Sequence, residues 1–166
     1  MDEALALAWL AATVRVATPL LLAALGETLV ERGGVINLAI EGAMLAGALA
    51  SALGATAGGP WAGTLAAIGA GICVSLLFAA VAIGARAEPI ITGTAITLLC
   101  VGLTGTVYRQ AYGAGGVGLT LPTYGTLEIP ILSGVPLMGA AFFQQSIVTY
   151  VGFALVPATW WVLFRT

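Results

Sequence analysis

The sequence has no histidine and no lysine, and holds only five arginines, seven carboxylates and two cysteines in 166 residues. Each shortage excludes something. Nucleic-acid affinity comes from Lys and Arg neutralising phosphates, so no nucleic-acid partner is expected. Without histidine no zinc site is expected, and without histidine or lysine no nucleophile can be paired with a base, so catalytic and metal-ligating residues are not expected. No Gly-rich loop ends in Lys-Ser/Thr, so nothing here cradles nucleotide phosphates. No cofactor is expected, and any ATP that powers this protein binds another chain. Cys73 and Cys100 each lie inside an apolar run and read as small packing residues rather than disulfide partners.

What the chain does contain is apolar surface. Charged residues make up 7% of it, against about 25% in a soluble domain, and the mean hydropathy is +1.09. No charge occurs between Gly42 and Ala85, or between Ile129 and Phe164. An integral membrane protein follows. A bilayer crossing needs about 20 mostly apolar residues, and cutting at charges, Pro and Gly clusters leaves five stretches: Leu10 to Leu29, Val35 to Ala55, Trp61 to Ala85, Ile90 to Tyr108 and Gln145 to Phe164. In lipid the backbone must satisfy its own hydrogen bonds, so these are helices; they lack the alternation of barrel strands. The expected fold class is all-α, a polytopic bundle of about five spans forming one transmembrane domain over residues 1–166.

Two further features concern placement. The opening Met1, Asp2, Glu3 is acidic and the run after it is too long for a signal peptide, so the first segment is expected to be retained. Short cytoplasmic loops retain Arg. With five crossings, Arg32, Arg86 and Arg165 share one side and Arg109 takes the other, which predicts an external N-terminus. Between the fourth and fifth stretches, Gln110 to Phe143 carries seven Gly and three Pro yet also Leu121, Tyr124 and Ile129. It reads as an ordered external cap with short helical or re-entrant pieces.

Small residues recur every fourth position on the second and third stretches: Ala43, Gly47, Ser51, Ala55; Ala46, Ala50, Gly54, Gly58; and Gly63, Ala67, Gly71, Ser75, Ala79. Such stripes let helix backbones approach closely. Against this apolar background the polar residues stand out. Asn37 and Glu41 are one helical turn apart and share a face; they read either as a cap with a carboxylate favoured by the helix dipole or as part of a transport path. Thr92, Thr94, Thr97, Thr104 and Thr106 crowd the fourth stretch, where hydroxyls either bond back to their own helix or meet a polar solute. Asn37, Glu41, Thr94 and Thr97 are the candidate path residues.

The run PLLLAALGETLVERGGVINLAIEGAMLAG, Pro19 to Gly47, resembles the ATP-binding-cassette importer permeases of the ribose, simple-sugar, nucleoside and branched-chain amino-acid group. It is most similar to the nucleoside and simple-sugar branch, through Glu31, Arg32, Val35 and Asn37, then Glu41, Gly42 and Met44, with Gly33 in place of the usual Ser. EPIITGTAITLL, Glu88 to Leu99, is similar to a second family stretch through Glu88, Ile91 and Gly93; Pro89 departs from it, and Thr97 stands where many relatives carry Asn. The resemblance implies a multi-pass permease in a prokaryotic plasma membrane. It implies a second permease subunit, a cytoplasmic ATP-binding-cassette ATPase and an external solute-binding protein as partners. It also leads to the expectation of an N-terminal half, ending before the loop that engages the ATPase. A structural membrane subunit that assembles a complex and moves nothing is the competing reading.

Overall fold

The computed structural model describes residues 3–113, 120–128 and 142–165. They form α1 (Glu3–Arg32), α2 (Ile40–Ala79) with a π-helical turn continuing it (Ala80–Gly84), α3 (Pro89–Tyr112), the short strands β1 (Thr126–Glu128) and β2 (Gln144–Ser146), and α4 (Ile147–Arg165). The all-helical membrane fold expected from composition is what forms. Four helices, rather than five, are long and apolar enough to cross a bilayer. The difference lies in α2, which contains both the second and the third expected stretch.

The chain divides into two compact units, residues 30–123, and residues 1–29 together with 124–166. Within the first, α2 is not a straight rod. Gly58 (φ −147°) and Gly59 (φ +80°) leave helical geometry just before Pro60. A left-handed φ suits glycine, which has no Cβ to clash, and Pro60 has no N–H to offer a continuing helix. The two arms fold back on each other through the small-residue stripes. A methyl group placed on Gly63 would stand 2.8 Å from the Ser51 carbonyl oxygen and 3.0 Å from the Ala55 Cβ, and one on Gly54 2.8 Å from the Ala62 carbonyl oxygen. Gly47 meets Ala67 further along. Partners that descend on one arm as they ascend on the other mark an antiparallel hairpin.

The ends of the helices follow local chemistry. Gly33 and Gly34 N–H donate to the Val30 and Glu31 carbonyls at 2.9 Å each, with Gly34 at φ +83°, closing α1 on a left-handed residue. The Glu88 carboxylate accepts from the Ile91 N–H at 2.6 Å and Pro89 takes the first helical position of α3. Proline is preorganised there, so the helix start accommodates it. The core of this unit gathers Ala39, Phe78, Ala82, Ile96 and Cys100. Cys100 therefore packs as expected, whereas Cys73 is exposed.

In the second unit α1 and α4 run parallel. Gln145 reaches Ala11, Thr149 meets Thr18, and Gly152 lies against Thr18 and Leu22. The strands β1 and β2 pair antiparallel, Thr126 opposite Ser146 and Glu128 opposite Gln144. The region Gln110 to Phe143 was expected to form a cap with helical or re-entrant pieces; of it, Gln110–Tyr112 end α3 and Thr126–Glu128 form β1, while residues 114–119 and 129–141 lie outside the described residues. Gln145, expected to open the fifth helix, belongs to β2. Large apolar side chains such as Leu20, Leu65, Leu98 and Phe164 point outward along the helices, as a lipid-facing surface requires.

Candidate functional site

The two sequence stretches that carried the family resemblance meet in space. The segment before and into α2, Asn37 to Gly42, packs along the first turns of α3. A methyl group on Gly93 would fall 2.8 Å from the Leu38 Cβ and 2.9 Å from the Ala39 nitrogen, and one on Gly42 3.0 Å from the Thr97 Cα. Only glycine at both positions allows so close an approach. The Thr97 hydroxyl spans the junction, donating to the Leu38 carbonyl at 3.0 Å. That carbonyl lies just before the helix, so Thr97 answers a backbone group exposed by the entry turn.

Asn37 shapes the same turn. Its Oδ1 accepts from the Ala39 N–H at 3.1 Å, two residues on. This is an Asx turn leading into the helix; the cap position itself is Ala39, which makes no side-chain cap bond. The local half of the two sequence readings of Asn37 is thus visible in the geometry. Glu41 sits in the first turn of α2, where the helix dipole favours a carboxylate. It is exposed. Thr94 is exposed and donates to its own helix at Ile90, 2.9 Å away. The structure therefore brings Thr97 and Asn37 to one junction, sets Glu41 beside it, and leaves Thr94 on the open side of α3.

A polar cluster that sequence reading missed lies in the other unit. Gln145 and Thr149 are 0% and 1% exposed, the most completely buried large side chains described. The Gln145 side-chain amide donates to the Ala11 carbonyl at 3.3 Å, and its backbone N–H to the Tyr150 hydroxyl at 3.2 Å. Tyr150 in turn donates to Leu127 of β1 at 3.1 Å. The Thr18 hydroxyl donates to the Val14 carbonyl at 2.8 Å and, more weakly, to the Thr149 hydroxyl oxygen at 3.4 Å. Ser146 lies 3.3 Å from Thr149. The only signal in the sequence was a Gln-Gln-Ser run at the head of an apolar stretch. An open groove of about 600 Å³ also runs along α1, between Leu5 and Leu20. It is apolar, and its one hydroxyl, Thr13, donates to the Trp9 carbonyl, so it offers a solute nothing to bind.

With this geometry in view, comparison with known proteins becomes informative. Residues 9–166 match the branched-chain amino acid transport system / permease component family. The chain belongs to this family. It is 37% identical over 165 residues to a guanosine ABC transporter permease protein of Bacillus subtilis, covering 93% of this chain and 51% of that one. A protein of Haloferax volcanii, named provisionally as a glucose ABC transporter permease, is 37% identical over 160 residues, 93% of this chain and 47% of its own. A nucleoside ABC transporter permease protein of Lactococcus lactis is 31% identical over 157 residues, 90% and 49%. The chain spans about half the length of these relatives. No solved structure matches it. Family membership and four bilayer-length helices make it a multi-pass membrane permease component, and such components are not themselves enzymes.

Proposed function

We propose that this chain forms part of the transmembrane path of an ATP-driven, binding-protein-dependent importer for nucleosides or simple sugars. The observation that carries the proposal is the α2–α3 junction, where both family stretches, Glu31 to Met44 and Glu88 to Leu99, fold against each other around Gly42, Gly93 and Thr97. Relatives named for guanosine, nucleosides and glucose support the solute class. On this reading a second permease subunit completes the path, a cytoplasmic ATPase drives it, and an external binding protein delivers the solute. Asn37, Glu41, Thr94 and Thr97 border the path, and the N-terminus of α1 faces outward. The test is uptake of labelled guanosine and glucose into proteoliposomes holding the complete transporter. Uptake that requires ATP and the binding protein is expected; uptake driven by an ion gradient without ATP would overturn the proposal.

Two substitutions separate path from scaffold. Asn37→Ala removes the Asx turn as well as a path-side amide and is expected to cost about 1 kcal/mol, lowering the amount of assembled complex and turnover per complex together. Glu41→Gln keeps the shape of an exposed side chain in the first turn of α2 and removes its charge, so assembly is expected to be little changed while ATP-driven uptake falls at least about tenfold, the scale of one lost charged contact. Both are read by quantifying purified complex alongside initial uptake rates. Normal uptake by Glu41→Gln removes that residue from the path.

A further inference from the structure

Helix α3 carries its polar groups unevenly. At 3.6 residues per turn, Thr94, Thr97, Thr104, Tyr108 and Tyr112 fall along one edge, beside the buried face formed by Thr92, Gly93, Ile96 and Cys100. The edge runs for about 27 Å at 1.5 Å per residue, close to the thickness of a hydrocarbon core. Its hydroxyls have a shared chemical state. Thr94 donates to Ile90, Thr97 to Leu38 and Thr104 to Cys100, at 2.9, 3.0 and 2.6 Å. A threonine has one proton to give, so all three have spent it on backbone and present lone pairs only. Such a track suits a solute rich in O–H and N–H donors.

At the end of the edge the chemistry changes. The Tyr108 and Tyr112 rings lie with centroids 5.2 Å apart, tilted by 49°. Tyrosines near a helix end often anchor a span in the headgroup region, but anchors face lipid, as the exposed Trp9 (72%), Trp61 (65%) and Trp160 (59%) do. Tyr108 and Tyr112 are instead half-buried. The Tyr112 hydroxyl is out of solvent and has no hydrogen-bond partner among the described residues, a state that costs free energy unless something completes it. The Arg109 Nε donates to the Gly105 carbonyl at 3.1 Å.

We propose that this edge of α3 lines the solute path, and that the Tyr108–Tyr112 pair selects a solute carrying a planar ring, a nucleoside over a free sugar. The inference rests on the importer reading and narrows its substrate class. A base stacks on tyrosine through its π face, the Tyr112 hydroxyl bonds a polar edge of the base, and the ribose hydroxyls donate to the threonine oxygens.

The experiment uses the complete transporter in proteoliposomes, with labelled guanosine and ribose as separate probes. Tyr108→Leu is expected to raise the apparent KM for guanosine about tenfold, the scale of one lost base–aromatic stack, and Tyr108→Phe, which keeps the ring, to restore it. Guanosine KM unchanged in Tyr108→Leu, an equal loss in Tyr108→Phe, or uptake of ribose but not guanosine by the unmodified transporter overturns the inference and leaves the importer reading standing. No ATP-driven uptake of either probe by the unmodified transporter overturns both. Should Tyr108→Leu fail to assemble, Tyr108→Cys, in a background with Cys73 and Cys100 replaced by alanine, supplies the second measurement. Its labelling by a thiol reagent is expected to be slowed by guanosine, and labelling indifferent to guanosine overturns the inference equally.

Discussion

Gly93→Leu is expected to remove about 3 kcal/mol of stability, at the upper end of what overpacking a close contact costs, and to abolish transport with it. The Cβ alone would press on the Leu38 Cβ, the Ala39 nitrogen and the Leu38 carbonyl carbon, at 2.8, 2.9 and 3.0 Å. Two of these atoms are backbone, so no rotamer change relieves the contact. Helix α3 must slide or tilt, and the Thr97 bond to the Leu38 carbonyl goes with it. Gly102→Leu is the control: it sits on the same helix with nothing within 4 Å of its would-be Cβ and replaces a poor helix former by a good one. Unfolding of the purified protein by SDS titration in mixed micelles, followed by tryptophan fluorescence, is expected to show the Gly93 variant unfolding at much lower SDS and the Gly102 variant at or above the unmodified midpoint. Equal midpoints for all three would remove the close α2–α3 approach from the description.

Gln145→Ala is expected to cost about 3 kcal/mol, the usual range for emptying a fully packed site. The side chain is 0% exposed and links β2 to the Ala11 carbonyl of α1. Gln145→Leu fills most of the same space without the amide. It is expected to lose only about 1 kcal/mol, because a hydrogen bond between helices in a membrane is worth about 0.6 kcal/mol on average. The same SDS titration reads both. A Leu variant as unstable as the Ala variant would mean that the polar link outweighs the packing, and the order of the two substitutions decides which holds α1 to α4.

The parts of the fold that were legible in the sequence are those fixed locally. Long intervals without charge gave the helical stretches, and Gly33–Gly34 and Glu88–Pro89 gave helix ends, because each depends on residues within four positions; Asn37, expected inside the second stretch or at its cap, instead precedes the helix. The helix count failed at Gly58 to Pro60 for a related reason: a glycine pair announces a break, but the two arms remain one helical element whose reversal is settled by Gly63 against Ser51, twelve positions away. The partner of Thr97 is Leu38 and that of Thr149 is Thr18, and no local pattern links them. A threonine in an apolar run looks the same whether it answers its own helix, as Thr94 does, or another segment, as Thr97 does. Of the candidate path residues, Glu41 lies in the first turn of its helix, but Asn37 stands before that helix rather than on a shared face with Glu41, and the sequence could not separate Thr94 from Thr97. The strand pair was hidden because β1 and β2 each supply three residues, too few for alternation to register.

The fold-back of α2 also decides where α3 begins. A helix that crosses a bilayer once delivers the chain to the far side, and one that reverses midway delivers it back to the side it left. The limbs on either side of Gly58–Gly59 run antiparallel, Gly63 against Ser51 and Gly47 against Ala67, so α2 returns the chain to the level of Ile40 before α3 starts. That return is what seats Gly93 against Leu38 and Ala39, the first turns of α3 against the entrance of α2. Straightened at those two glycines, the same helix would leave α3 on the far side from the segment it packs against.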